Sequence, residues 1–200
     1  MTDHSFIHHF EPGDLTRPIL LLHGTGGDEH DLVPLAQAVA PGRALLSPRG
    51  RVKEGHANRF FRRFAEGRFD IPDLKAQTDA LSAFIGESTA SYGLGKPIAL
   101  GFSNGANIAA SLLMRHPGVL AGAVLLRAMV PFDEPASGLE GTDVLLVSGV
   151  GDPILPVDNA KRLAALLSEA GASVDHQILP AGHGLTQADM ALSRAFFERR

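Results

Sequence analysis

Gly101-Phe102-Ser103-Asn104-Gly105 joins a short apolar run, Lys96 to Gly101, to a segment with helical spacing. A G-x-S-x-G string is weak in isolation and much stronger at a strand-to-helix junction. A serine on so tight a turn adopts strained backbone angles, and side chains at Gly101 and Gly105 would clash with the neighbouring chain. The hydroxyl then projects above a sheet, and the first amides of the following helix point at any negative charge that develops beside it. The bland alternative is a serine that caps a helix, with glycines serving an ordinary turn.

A serine hydroxyl is a poor nucleophile at neutral pH unless a histidine takes its proton and a carboxylate orients that histidine. Of nine histidines, His183 stands in Ala181-Gly182-His183-Gly184, between the last strand-like run and the last helical segment. Its flanking glycines let a loop carry the ring over the serine. His176 falls inside a strand-like run and His116 at a helix end before Pro117, where packing or capping explains them. His4, His8 and His9 belong to an N-terminal segment expected to fray. Asp152, in Val150-Gly151-Asp152-Pro153, completes the order nucleophile, acid, base that this type of site follows along the chain. Asp133, in Pro131-Phe132-Asp133, is its main rival; Asp175 lies within a strand and reaches less well.

His23-Gly24-Thr25-Gly26-Gly27-Asp28 follows another apolar run, as a loop whose backbone amides bind a tetrahedral oxyanion would. The expected donors are the amides of Thr25 and Asn104. The Walker pattern and the dinucleotide G-x-G-x-x-G are both missing. His23, Asp28 and His30 could be imagined around a metal, but no second cluster supports them and no metal is expected. His23 reads more simply as a buried ring that fixes the loop.

Positioning these residues takes strands and helices in turn. Pro18 to His23, Arg43 to Ser47, Lys96 to Gly101, Gly122 to Leu126, Asp143 to Ser148 and Ser173 to Leu179 read as strands, mostly continuous apolar runs suited to cover on both faces. Asp31 to Val39, Ile71 to Tyr92, Asn104 to Arg115, Asp158 to Glu169 and Thr186 to Arg199 read as helices; Asp158 suits an N-cap. The alternation predicts an α/β fold with a mostly parallel central sheet and helices on both faces. A hairpin-forming first strand is weakly signalled around Phe6 to Phe10. Ser47 to Arg59 reads as a long irregular loop beside the sheet.

The chain has 200 residues, 44% of them hydrophobic, which suits one domain over 1–200. The net charge of -4, from 18 basic and 22 acidic residues, gives no sign of steering toward nucleic acid or membrane. With no cysteine there is no disulfide scaffold and no thiolate nucleophile. No signal-peptide pattern opens the sequence and no apolar stretch is long enough for a bilayer, so a cytoplasmic location is expected.

Leu22 to Glu29 (LHGTGGDE), Ser47 to Arg51 (SPRGR), Arg59 to Arg63 (RFFRR), Gly101 to Asn107 (GFSNGAN), Gly149 to Pro153 (GVGDP) and Gly182 to Gly184 (GHG) carry a resemblance. In that order the sequence resembles the phospholipase/carboxylesterase family of small α/β-hydrolases, especially its bacterial carboxylesterase branch related to hydroquinone-stress proteins. The likeness runs from about residue 15 to the C-terminus. It implies an α/β-hydrolase core without a separate cap domain, a Ser103, Asp152 and His183 triad, no cofactor, small ester substrates and often a homodimer. The same family contains acyl-protein thioesterases, whose first loop tends to read HGLGD where this one reads HGTGG. Related dienelactone hydrolases use a cysteine, and none is present here.

The expectation is a serine carboxylesterase working through an acyl-enzyme, with an acyl thioesterase or lysophospholipase as the alternative. A non-catalytic ligand-binding protein on the same fold would normally have lost a catalytic group, and none is lost. Phe60 and Phe61, with Arg51 and Arg62, could wall the substrate pocket and greet an anionic group. Equally, Phe60, Phe61 and Phe64 could pack in the core while the arginines stay solvated.

Overall fold

The computed structural model describes residues 6–200; residues 1–5, and with them His4, lie outside the described part. In chain order the strands are β1 (His8–Glu11), β2 (Asp14–Leu22), β3 (Arg43–Pro48), β4 (Val52–Glu54), β5 (Ala57–Arg59), β6 (Arg63–Ala65), β7 (Arg68–Phe69), β8 (Ile98–Phe102), β9 (Gly122–Leu126), β10 (Asp143–Gly149) and β11 (Ser173–Leu179). The helices are α1 (Val33–Val39), α2 (Ile71–Tyr92), α3 (Asn104–Arg115), α4 (Val157–Glu169) and α5 (Gln187–Glu198).

Seven strands form the central sheet in the order β1-β3-β2-β8-β9-β10-β11. Only β1 runs antiparallel to its neighbour. Successive residues of each strand point to opposite faces, and both faces are covered. Ile19, Leu21, Leu100, Val124 and Val147 pack in one core layer with Ala36 and Val39 of α1 and Phe196 and Phe197 of α5. Leu20, Leu22, Ala99, Leu125 and Leu146 pack in the other with Leu74 and Leu81 of α2, Ile108 and Leu112 of α3 and Leu163 of α4. Two covered faces explain why these strands read as unbroken apolar runs. This is the expected α/β-hydrolase architecture, with no separate cap domain among the described residues. No helix there is long and apolar enough to cross a membrane.

Three local expectations need correction. The first strand does not fold back on β2 as a hairpin: β1 pairs with β3, with Phe10 opposite Leu46. Both edges of β2 are already taken, by β3 on one side and β8 on the other. The stretch Ser47 to Arg59 is not irregular, since it contains the antiparallel β4–β5 hairpin, turned at Gly55 with φ 60°. A second small hairpin, β6–β7, follows. Lastly, Asp158 does not cap α4. Pro156 is the N-cap, and Asp158 lies in the first turn, where an acid complements the helix dipole.

Candidate active site

Ser103 stands between the end of β8 and the start of α3 with φ 52° and ψ -114°. A non-glycine residue in that region is strained by about 1–3 kcal/mol, a cost usually tolerated only at working sites. The turn is held by the Ser103 amide, which donates to the Leu126 carbonyl at 2.9 Å. A Cβ on Gly101 would meet the Ala106 backbone at 2.8 Å, and one on Gly105 would run into the Leu22 carbonyl. Both glycines are therefore required by close approach, as the motif led one to expect.

The Ser103 hydroxyl donates to Nε2 of His183 at 3.0 Å, and Nδ1–H of His183 donates to Oδ2 of Asp152 at 2.8 Å. These directions follow from the carboxylate, which can only accept. The other Asp152 oxygen accepts the amides of Ile154 (2.8 Å) and Leu155 (3.0 Å), and the side chain is fully buried. The aspartate is thus locked before it meets the ring. Its loop is in turn tied to the histidine loop: the Gly151 amide donates to the Ala181 carbonyl at 3.0 Å.

Ser103, Asn104 and Thr25 line one cavity of about 20 Å³ together with Arg59 and Met129. Asn104 opens α3, where the first amides have no carbonyl one turn back to bind. The Thr25 loop is braced by His23, which is 1% exposed. Its ring bonds the Gly24 carbonyl through Nδ1 (2.7 Å), and its Nε2 accepts the Gly50 amide (2.9 Å). Burial holds the His23 ring below the usual imidazole range, in keeping with a neutral acceptor. Glu29 pins the far end of the loop by a bidentate pair with Arg49 at 2.5 and 2.6 Å.

The expected pocket residues do not meet at the serine. Phe60 and Phe61 are buried, against His23 and Phe69 respectively. Arg51 lies over the Phe6 ring and donates to Gln77. Arg62 reaches back to Asp70 and Asp73 around the start of α2. Phe60 and Phe61 have gone to the core, whereas Phe64, expected there too, is exposed, and Arg62 has found carboxylates outside the cavity. Arg59 and Arg63 line the cavity instead, with Glu66 and Phe69. Arg59 donates to the Thr25 hydroxyl at 2.6 Å; burial lowers its guanidinium to about 10, which leaves it charged at neutral pH. Glu54 serves both arginines and Glu66 pairs with Arg63, so no surplus positive charge faces the serine. The rival acid Asp133 is exposed and paired with Arg162, and Asp175 accepts from Gln177.

Two residues given no role by the sequence reading also touch this region. Asn107 of α3 accepts the Met129 amide at 2.7 Å, fixing the loop after β9 beside the cavity. Arg127, also with positive φ, is entirely buried against Asp189. A charge placed directly after a fully apolar strand was its one signal in the sequence.

Fold and site together define a class, the serine hydrolases of the esterase and lipase type. The chain belongs to the phospholipase/carboxylesterase family, whose model matches residues 11–199. It is 40% identical over 198 residues to MhqD, named as a hydrolase of Bacillus subtilis (strain 168), covering 96% of this chain and 97% of that protein. The structure matches the Bacillus cereus carboxylesterase with a TM-score of 0.95 at 39% identity, covering 99% of this chain and 96% of that one. A carboxylesterase from Mesorhizobium loti matches with a TM-score of 0.93 at 36% identity, covering 100% and 98%. The protein is a carboxylic-ester hydrolase, and the family resemblance read from the sequence holds.

Proposed function

We propose that the protein is a serine carboxylesterase for small carboxylic esters, with Ser103, His183 and Asp152 as its triad. The observation that carries this reading is the unbroken hydrogen-bond chain from the Ser103 hydroxyl through His183 to the buried Asp152. His183 takes the serine proton as Oγ attacks the ester carbonyl carbon. The amides of Thr25 and Asn104 hold the oxyanion, each donor being worth about 10²–10³ in rate. His183 then gives its proton to the departing alcohol. A water, activated by the same ring, attacks the acyl-enzyme and frees the acid. Asp152 keeps Nδ1 protonated and stabilises the imidazolium that forms in each half.

The size of the cavity supports a small acyl group. About 20 Å³ is little more than the space needed for one water molecule. A surface groove of about 590 Å³, lined by Ile71, Val130 and Phe132, shares Gly67 and Phe69 with the cavity and offers room for the other half of the ester. The balanced charge around Arg59 and Arg63 favours a neutral acyl group.

The test is a kcat/KM profile over esters and thioesters of increasing acyl length. Acetyl and propionyl esters are expected to exceed octanoyl esters by at least about tenfold. A profile that climbs with acyl length, or a preference for long-chain thioesters, would favour the thioesterase or lysophospholipase reading instead.

A further inference from the structure

His183 sits between two glycines, and that freedom needs a restraint. Gly182 and Gly184 allow the loop to reach the serine, yet residues without a side chain also leave it many backbone conformations. The hydrogen bonds His183 accepts from Ser103 and donates to Asp152 orient the ring but leave the backbone on either side to other contacts.

Arg127 supplies those contacts from beneath. It follows β9 directly, with φ 60° and a completely buried side chain. Among the described residues only Ser103 shares a positive φ without being glycine, so both departures from ordinary backbone fall in this one region. A guanidinium has five N–H donors in a fixed plane. Here every nitrogen is engaged. Nε donates to the Gly182 carbonyl at 3.0 Å. Nη1 donates to the Val147 carbonyl at 3.4 Å and to Oδ1 of Asp189 at 2.7 Å. Nη2 donates to the Gly184 carbonyl at 3.2 Å and to Oδ2 of Asp189 at 3.0 Å. One rigid plane thus grips the carbonyl on each side of the histidine.

The anchor beneath it is equally fixed. Asp189 is 2% exposed, and its carboxylate also accepts the amide (2.8 Å) and hydroxyl (2.7 Å) of Thr186, the N-cap of α5. The arginine is therefore seated on the start of a helix packed against the sheet. Because the pair is neutral as a whole, its effect on His183 is one of geometry rather than of added charge.

We propose that Arg127, seated on Asp189, is a positioning residue for the acyl-transfer reaction, holding the Gly182–Gly184 backbone so that Nε2 of His183 stays in reach of Ser103. The proposal rests on His183 being the general base. A lysine cannot do the same work: its ammonium is a compact charge with three donors, able to pair with Asp189 but not to span both carbonyls in one plane.

The experiment compares R127K with wild type on p-nitrophenyl acetate, using protein shown to be folded by circular dichroism and gel filtration. R127K is expected to lose about 100-fold in kcat, as a misplaced catalytic group does, with KM changed by less than about twofold. It should also lose or broaden the low-field proton resonance of the His183–Asp152 hydrogen bond. R127M/D189N, which removes both buried charges together, keeps the test open if a single variant folds poorly, and the same fall in kcat per folded molecule is expected. Wild-type kcat in folded R127K, or a loss of activity no greater than the loss of folded protein in both variants, would overturn the proposal. H183A is measured alongside: if it keeps full activity, the assignment of the general base fails too, so the two failures are told apart.

Discussion

At the scale of single residues, the aspartate shows how the site is made rigid. One oxygen of Asp152 is committed to two backbone amides and the other to His183, so the carboxylate has no freedom to turn away. Replacing it by asparagine keeps the shape but lets the amide favour the wrong imidazole tautomer. D152N is therefore expected to lose about 10⁴ in kcat, while D133N, altering an exposed residue paired with Arg162, should stay within about twofold of wild type. Steady-state kinetics on the two variants decides which acid serves the histidine. Ser103, His183 and Asp152 were legible in the sequence because glycine or proline within two residues marked each as a tight turn. Arg127 and Arg59 were not. Their meaning lies in partners distant along the chain, Gly182 at 55 residues and Thr25 at 34, and no local pattern reports such pairs.

At the scale of elements, the long buried segments were the readable ones. β9, α2 and α3 begin and end where the sequence puts them, since their apolar runs and helical spacing reflect burial directly. β4 to β7 escaped because strands of two or three residues carry no period, and in β4–β5 only Asn58 and Arg59 are buried. Those hairpins nevertheless supply the arginines of the cavity. The loop between β2 and α1 depends on a different tie, the Glu29–Arg49 pair to the end of β3. The Arg49 hydrogen bonds hold the Glu29 carboxyl at about 2, against an ordinary value of 4.5. Since the folded value lies below the unfolded one, this stabilisation is complete above about pH 4.5 and disappears as the pH falls toward 2. E29Q is expected to be less stable than wild type at neutral pH, with the difference shrinking across that acid window. Urea denaturation of both proteins from pH 6 to pH 3 measures it, and a constant difference would show that the pair makes no such contribution.

At the scale of the whole molecule, the parallel sheet gathers groups that the chain keeps far apart. The proposed oxyanion loop follows β2, Ser103 follows β8, Arg127 β9, Asp152 β10 and His183 β11, five neighbouring strands whose carboxyl ends share one edge. Ligands of open α/β sheets bind outside that edge, and the strand order gathers residues between 23 and 183 there. The central claim is that this group exists to make Ser103 a nucleophile. Its most direct test is reaction with a fluorophosphonate followed by mass spectrometry of the modified peptide. A single adduct on Ser103, absent from folded S103A and formed far more slowly in H183A, is the expected result; no adduct on folded wild-type protein, or one at another residue, would contradict it.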